Sequence, residues 1–407
     1  MTKSRVLICH PRLRPSGGGN VVAAWALQAL RSEFDVSLAT LEPVNCQALN
    51  LSFGTCLEPG DFQVYVAPAM YQAMLRSLPT PGALLDIALT MRWAQDVDRK
   101  ARFDLLFSTE NEVDFHRRGI QYIHHPWLYL PRPEPEMRWY HRLPGALKLY
   151  RKSCLALSRA TVEGLGSNVT LANSRFVAAR FRHVYGTDAE VVHPPVPGDF
   201  PETSWAERRL AVAGIGRIHH YKRWDVVVEI VEAVRKRGHD LKLTLIGHSD
   251  EAAYEARLEA MTASRPWFRL LRNLSRAELL SELSQHRYGI HAMHEEHFGI
   301  APAELQRAGC IPFVHNSGGP VEIVDDDPRL TFDTVEDASE KITRAIEDSS
   351  LERELRTQVA ERRDWFSSER FCESVRRTVM QAVRDATDRT QVATEAQPGC
   401  PTGLIRA

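Results

Sequence analysis

The chain has 407 residues, 43% of them hydrophobic and 25% charged, with a formal net charge of −1. That balance belongs to a globular protein too long for one ordinary core, so two domains are expected. A charge this close to neutral gives no reason to expect nucleic-acid binding, and seven cysteines without a C-x-x-C pair give none to expect a zinc ribbon or a disulfide framework.

Residues 5–9 (RVLIC) read as a first buried strand, too short for a signal-peptide core. A glycine loop follows, Ser16-Gly17-Gly18-Gly19-Asn20, and 21–30 read as a helix. Short strands are expected at 36–39, 64–67, 105–108, 121–124 and 169–172, with a helix over 84–100. After 169–172, Asn173-Ser174 offers a cap for the next helix, and capping explains that pair fully. Four prolines and a glycine within 194–208 mark an interdomain linker. A second series of strands is expected at 210–215, 241–246, 268–271, 288–293 and 311–314, separated by helices at 224–237, 251–263 and 276–285. Pro302 suits the first turn of a further helix and Gly309 its stop. Asp325-Asp326-Asp327 reads as a solvated turn, and residues 350–386 have helical period throughout. Alternating strands and helices imply α/β domains with mostly parallel sheets. No run of about 18 apolar residues occurs, so no spanning helix is expected, and a reducing, cytoplasmic setting fits the unpaired cysteines.

The densest information lies between 288 and 320. There E-H-F-G-I-A-P-A-E carries Glu296 and Glu304, and H-N-S-G-G-P closes the following strand. A strand–loop–helix unit of this kind sets a loop and a helix N-terminus at the carboxyl edge of a parallel sheet, where ligands and phosphates bind. Upstream, G-R-I-H-H-Y-K holds Arg217 and Lys222 with four residues between them. An arginine fork and a lysine point charge suit a diphosphate. Taken alone, either base could be an ordinary surface charge.

Together these motifs resemble the retaining GT-B glycosyltransferases of family 4, close to the branch that holds the dolichol-pathway α-1,2-mannosyltransferase. The resemblance implies two doubly wound Rossmann-like domains facing each other across a cleft. It implies an acceptor-side domain over 1–195, a nucleotide-sugar domain over 196–364 and a helix at 365–386 returning to the first domain; the polar composition with Gly and Pro from 387 onward reads as a disordered tail. By the resemblance, Arg217 and Lys222 hold the diphosphate, and Glu296 contacts the donor sugar at the reacting carbon. Glu304 accepts from the ribose. His297, Phe298, Gly299 and Ile300 line sugar and phosphate, Asn273 and Leu274 grip the base, and Glu322 matches a glutamate near ribose or sugar. Gly17, Gly18 and Gly19 line the diphosphate and acceptor region. A histidine of the resembling enzymes stands at His124, with His125 beside it on the acceptor side; a strand-end histidine capping loop carbonyls is the alternative. Where the family has glycine after the lysine, this chain has Arg223.

The implied activity is transfer of a hexosyl group, mannosyl favoured, from a nucleotide diphosphate sugar to an acceptor hydroxyl with retention. GDP-mannose is favoured over UDP-sugars, with no cofactor and no metal. A glycogen-type synthase or a non-catalytic nucleotide-sugar-binding protein is the alternative. Residues 132–159 interleave seven Arg/Lys with aromatic and apolar side chains. That pattern fits peripheral contact with an anionic membrane or a lipid-phosphate acceptor, and equally an amphipathic helix packed on the first domain.

Overall fold

The structure is a computed structural model that describes residues 3–76, 83–130, 143 and 145–395. Among the described residues, thirteen strands fall into two sheets. The first contains β1 (Arg5–Cys9), β2 (Asp35–Thr40), β3 (Gln63–Val66), β4 (Leu105–Ser108), β5 (Ile120–Ile123), β6 (Val169–Ala172) and β7 (Glu190–Val191). The second contains β8 (Arg209–Ile215), β9 (Lys242–Gly247), β10 (Phe268–Arg272), β11 (His286–His291), β12 (Ile311–His315) and β13 (Thr331–Phe332).

Every pairing is parallel, so every connection is a crossover. The orders are β3-β2-β1-β4-β5-β6-β7 and β10-β9-β8-β11-β12-β13. In each, the order reverses beside the first strand. Crevices therefore open between the loops after β1 and β4, and between those after β8 and β11. The glycine loop follows β1, and the G-R-I-H-H-Y-K segment follows β8. These sequences fold as strands because they are short apolar runs buried on both faces: Leu7, Ile8, Leu106 and Phe107 are fully covered in the first sheet, and Leu243, Leu245, Ile311 and Phe313 in the second.

The helix Ser368–Glu395 lies against the helix Gly18–Leu30. It adds Phe371, Cys372, Val375 and Val379 to the core formed with Val22, Leu27 and Leu30. The chain passes between the lobes twice, and the crossings touch: the Val196 N–H donates to the Phe366 carbonyl at 2.9 Å.

Several expectations change. The helical run over 350–386 is broken, ending at Glu361 and resuming at Ser368. The tail expected to be disordered from 387 stays helical through Glu395, continuing the helix docked on the first lobe. The strand placed at 288–293 runs over 286–291, with buried His286 inside it. β7 and β13, two residues each, carry no periodic signal. Asp325-Asp326-Asp327 is not merely solvated: Asp327 is buried against Arg329, Asp326 pairs with Arg175, and Asp325 with Arg362.

Candidate functional site

The two switch-point crevices face each other and enclose a cavity of about 640 Å³. Gly17, Gly18, Gly19, Glu110, His124 and Asn173 line it from the first lobe. Gly216, Arg217, Lys222, His248, Asp250, Glu296 and the run His297–Ala301 line it from the second. Thus Arg217, Lys222 and the first carboxylate of the pair share a wall, and the glycine loop and His124 stand opposite.

Local backbone explains the arrangement. β11 ends at His291 and the chain turns through Glu296 before the helix Ile300–Arg307. Gly299 is the N-cap of that helix at φ 95°, a region that disfavours a side chain, and Gly299, Ile300 and Ala301 line the cavity at the helix start. Lys222 ends a short 3₁₀ turn, His220–Lys222, and reaches Glu296 in direct ion contact. Arg223 follows at φ 54°, capping the helix Trp224–Lys236 in the left-handed region. A glycine would occupy that geometry without strain, which accounts for the family's preference there; the turn forms with arginine nonetheless.

Burial raises the Glu296 carboxyl, but the Lys222 ammonium and the nearby His291 ring more than offset it, holding the acid well below its ordinary range. His291, behind Glu296 at 3.5 Å, is lowered by burial and by Lys222. Arg217 donates to Asp250 at 3.2 Å and stays half exposed over the Tyr221 ring. Both bases therefore point into the cleft, each balanced by a carboxylate that a diphosphate would displace or share.

His124 sits at the end of β5. Its Nε2 donates to the Thr109 carbonyl at 3.0 Å, which fixes the tautomer, and Asn111 Oδ1 holds its backbone N–H at 2.7 Å. Glu110, absent from the sequence-based set, lies 3.9 Å from both His124 and His10. It also borders a second space of about 210 Å³ lined by His10, Arg12, Asn20 and Asp86. Glu110 lies two residues past β4, on the rim where the order reverses, and carries no motif that would have singled it out.

Other expected site residues do not line the cavity. Glu304 is buried in an ion pair with Arg276, whose guanidinium also donates to the Pro197 carbonyl at 2.5 Å. Asn273 takes a left-handed turn and donates through its backbone to Gly247, Leu274 packs into the apolar cluster around Phe298, and Ser275 is the cap. His125 is buried edge-on against His297, with ring centroids 4.3 Å apart. Glu322 accepts from the Arg175 N–H at 2.9 Å and lies 3.1 Å from His193 Nε2, joining the lobes at the cleft's edge. Ser174 does more than cap: its hydroxyl also lies 2.6 Å from the His297 carbonyl across the cleft. Of the basic segment, 132–142 and 144 lie outside the described residues. The remainder includes the helix Ala146–Ser158, with Cys154 buried and Leu149 67% exposed.

Residues 198–362 match the family described as glycosyl transferases group 1. The second lobe is a group 1 glycosyl transferase domain. The mouse GDP-Man:Man(3)GlcNAc(2)-PP-Dol alpha-1,2-mannosyltransferase is 27% identical over 177 residues, 39% of this chain and 36% of that one. Its Dictyostelium discoideum counterpart is 25% identical over 52% of this chain and 46% of its own. The chain thus spans less than half the length of these curated relatives. The human Alpha-1,3/1,6-mannosyltransferase ALG2 is 26% identical over 62% of this chain and 70% of its own. Among solved structures, Anabaena HepE in complex with UDP and glucose superposes with TM-score 0.62 at 14% identity, covering 93% of this chain and 99% of that one. WaaG, a glycosyltransferase involved in lipopolysaccharide biosynthesis, gives 0.64 at 16% identity, covering 91% and 99%. The fold of this group 1 domain and its companion lobe is GT-B, and membership of family 4 is consistent with it.

Proposed function

We propose that this protein transfers a hexosyl group from a nucleotide diphosphate sugar to an acceptor hydroxyl, with retention and with no metal ion at the diphosphate. One observation carries the reading. The cavity between the lobes brings Arg217, Lys222 and Glu296 to face the glycine loop and His124. Mannose from GDP-mannose is the favoured donor, because the curated relatives named above are mannosyltransferases, two of them named for GDP-mannose.

The chemistry follows from charge. As the bond between the anomeric carbon and the diphosphate oxygen breaks, negative charge grows on the leaving phosphate. Arg217 and Lys222 line the cavity from the second lobe, and fixed cations there would stabilise that charge. The acceptor oxygen attacks the same face of the anomeric carbon, and its proton passes to the departing phosphate oxygen. No covalent sugar–enzyme bond is needed. Glu296, ionised across the neutral range, accepts from donor-sugar hydroxyls once the diphosphate draws Lys222 away. His124, its Nε2–H donating to the Thr109 carbonyl, would stand on the acceptor side. Contact with an anionic membrane through the exposed Lys148, Leu149 and Lys152 is part of this reading. No helix among the described residues is long and apolar enough to cross a membrane.

The test is release of nucleoside diphosphate from a panel of GDP-, UDP- and ADP-sugars, with acceptor screening and linkage analysis of any product. The expected result is turnover with GDP-mannose in the presence of chelator, lost by at least about a hundredfold in Glu296→Gln and Lys222→Ala. Full turnover in both variants would contradict the reading, and an inverted product anomer would contradict retention.

A further inference from the structure

The loop that carries Arg217 and Lys222 holds a second constellation, whose residues are not among those lining the cavity. His219 and His220 lie in the loop after β8, and Glu251 is the N-cap residue of the helix Ala252–Ala263 that follows β9. Parallel pairing of β8 with β9 sets the two loops side by side, and an isolated bridge between Ile218 and Ser249 ties them just before the cluster.

One donor atom from each of the three side chains lies within 4.8 Å of the other two. Glu251 Oε2 is 3.2 Å from His219 Nδ1 and 2.9 Å from His220 Nδ1. Ligands held about 2.0–2.1 Å from one tetrahedral ion stand about 3.3 Å apart, so two of the three edges already suit a shared ion. The His219 ring supplies an independent sign. Its Nδ1 is buried from solvent and meets no hydrogen-bond partner in proper geometry, although a carboxylate oxygen sits beside it. A neutral imidazole presenting a lone pair there lacks an electrophile. His220 is 63% exposed on its side chain, which gives an entering ion a path and leaves a position for water.

We propose that His219, His220 and Glu251 form a binding site for a divalent transition-metal ion of the zinc class, which clasps the diphosphate-binding loop to the neighbouring helix. Two imidazole nitrogens with one carboxylate select zinc, cobalt or nickel over magnesium or calcium, which take oxygen ligands. None of the three residues lines the cavity between the lobes, so the ion touches neither diphosphate nor sugar. It acts by holding the segment between Gly216 and Arg223 in place, and it leaves the metal-free chemistry proposed above intact.

The test uses the full chain freed of metal by chelation and dialysis. Zinc chloride is titrated calorimetrically, and cobalt chloride by visible absorption. The site predicts one equivalent of zinc, four- or five-coordinate cobalt bands with imidazole character, and no uptake of magnesium. His219→Ala and, separately, Glu251→Gln weaken zinc binding by at least about tenfold. Hydrogen exchange across 216–223 slows on loading in the parent protein and not in the variants. Both substitutions fall on partly exposed side chains, and unchanged melting of the metal-free variants establishes that they fold. No zinc uptake by the parent, or uptake of equal affinity in both variants, overturns the site. Neither result bears on sugar-nucleotide turnover, which is read in a separate assay under chelation.

Discussion

Lys222 and Glu296 face each other where neither is well hydrated, so each makes the other's charge tolerable. The folded carboxyl lies well below its ordinary value of 4.5. The pair's stabilisation is therefore complete above that value and is lost as pH falls through the depressed folded one. Lys222→Met leaves Glu296 with burial and no ammonium, and its pKa then rises. The variant should be less stable than the parent by about 3 kcal/mol at neutral pH. That difference should shrink as acid neutralises the stranded carboxylate. Urea unfolding at several pH values measures it, and a difference independent of pH would contradict the account. Gly19 makes a different point. A methyl group there would lie 2.6 Å from Glu110 Oε2, the end of a side chain that can move. Gly19→Ala should keep the melting temperature within a few degrees while raising the KM for donor or acceptor, because the displaced carboxylate narrows the cleft. Arg223→Gly should fold as well as the parent or better, by up to about 1 kcal/mol, since the left-handed position ceases to carry a side chain.

At the scale of elements, the N-terminus of the helix Arg175–Tyr185 works as a latch. Ser174 accepts from the Val177 N–H at 3.1 Å and reaches the His297 carbonyl, while Glu322 takes the Arg175 N–H. Ser174→Ala should cost about 1 kcal/mol of stability through the lost cap. It should also raise donor KM, because closure of the lobes loses a contact, and Ser174→Thr should restore both. Small-angle scattering with and without nucleotide reads the closure separately from the stability.

Sequence pattern showed the strands because those of a parallel sheet are covered on both faces and read as apolar runs. The resemblance set Arg217, Lys222, Glu296 and the glycine loop around one cleft, and in the structure they share a cavity because each lies in a loop that follows a strand beside a reversal of order. What stayed hidden was long-range. Nothing local in Glu304 announces Arg276, and nothing in Ser174 announces His297. Glu110 carries no motif; its position next to Gly19 and His124 exists only once β1, β4 and β5 are adjacent. The last helix was legible from its period and its return to the first lobe from the resemblance, but its break between Glu361 and Ser368 follows from the chain crossing back between the lobes.

For the molecule as a whole, the last helix fastens the end of the chain to the lobe where it began. Val375 is fully buried among Val22, Leu27 and Leu30. Val375→Ala should cost about 2 kcal/mol, seen as a lower melting temperature. Removal of the helix should expose the face of Gly18–Leu30 and cost soluble expression. The cleft depends on that closure, since the glycine loop opens the helix on which the return helix rests. The central claim is that fixed cations of the second lobe grip a diphosphate without a metal ion. It is tested most directly by calorimetric titration of GDP into the chelator-treated protein and into Arg217→Ala and Lys222→Met. The account predicts saturable binding of one GDP in the parent, weakened at least about tenfold in each variant, as expected when a charge-assisted contact is lost. Binding that requires added metal, or that is unchanged when either base is removed, would contradict it.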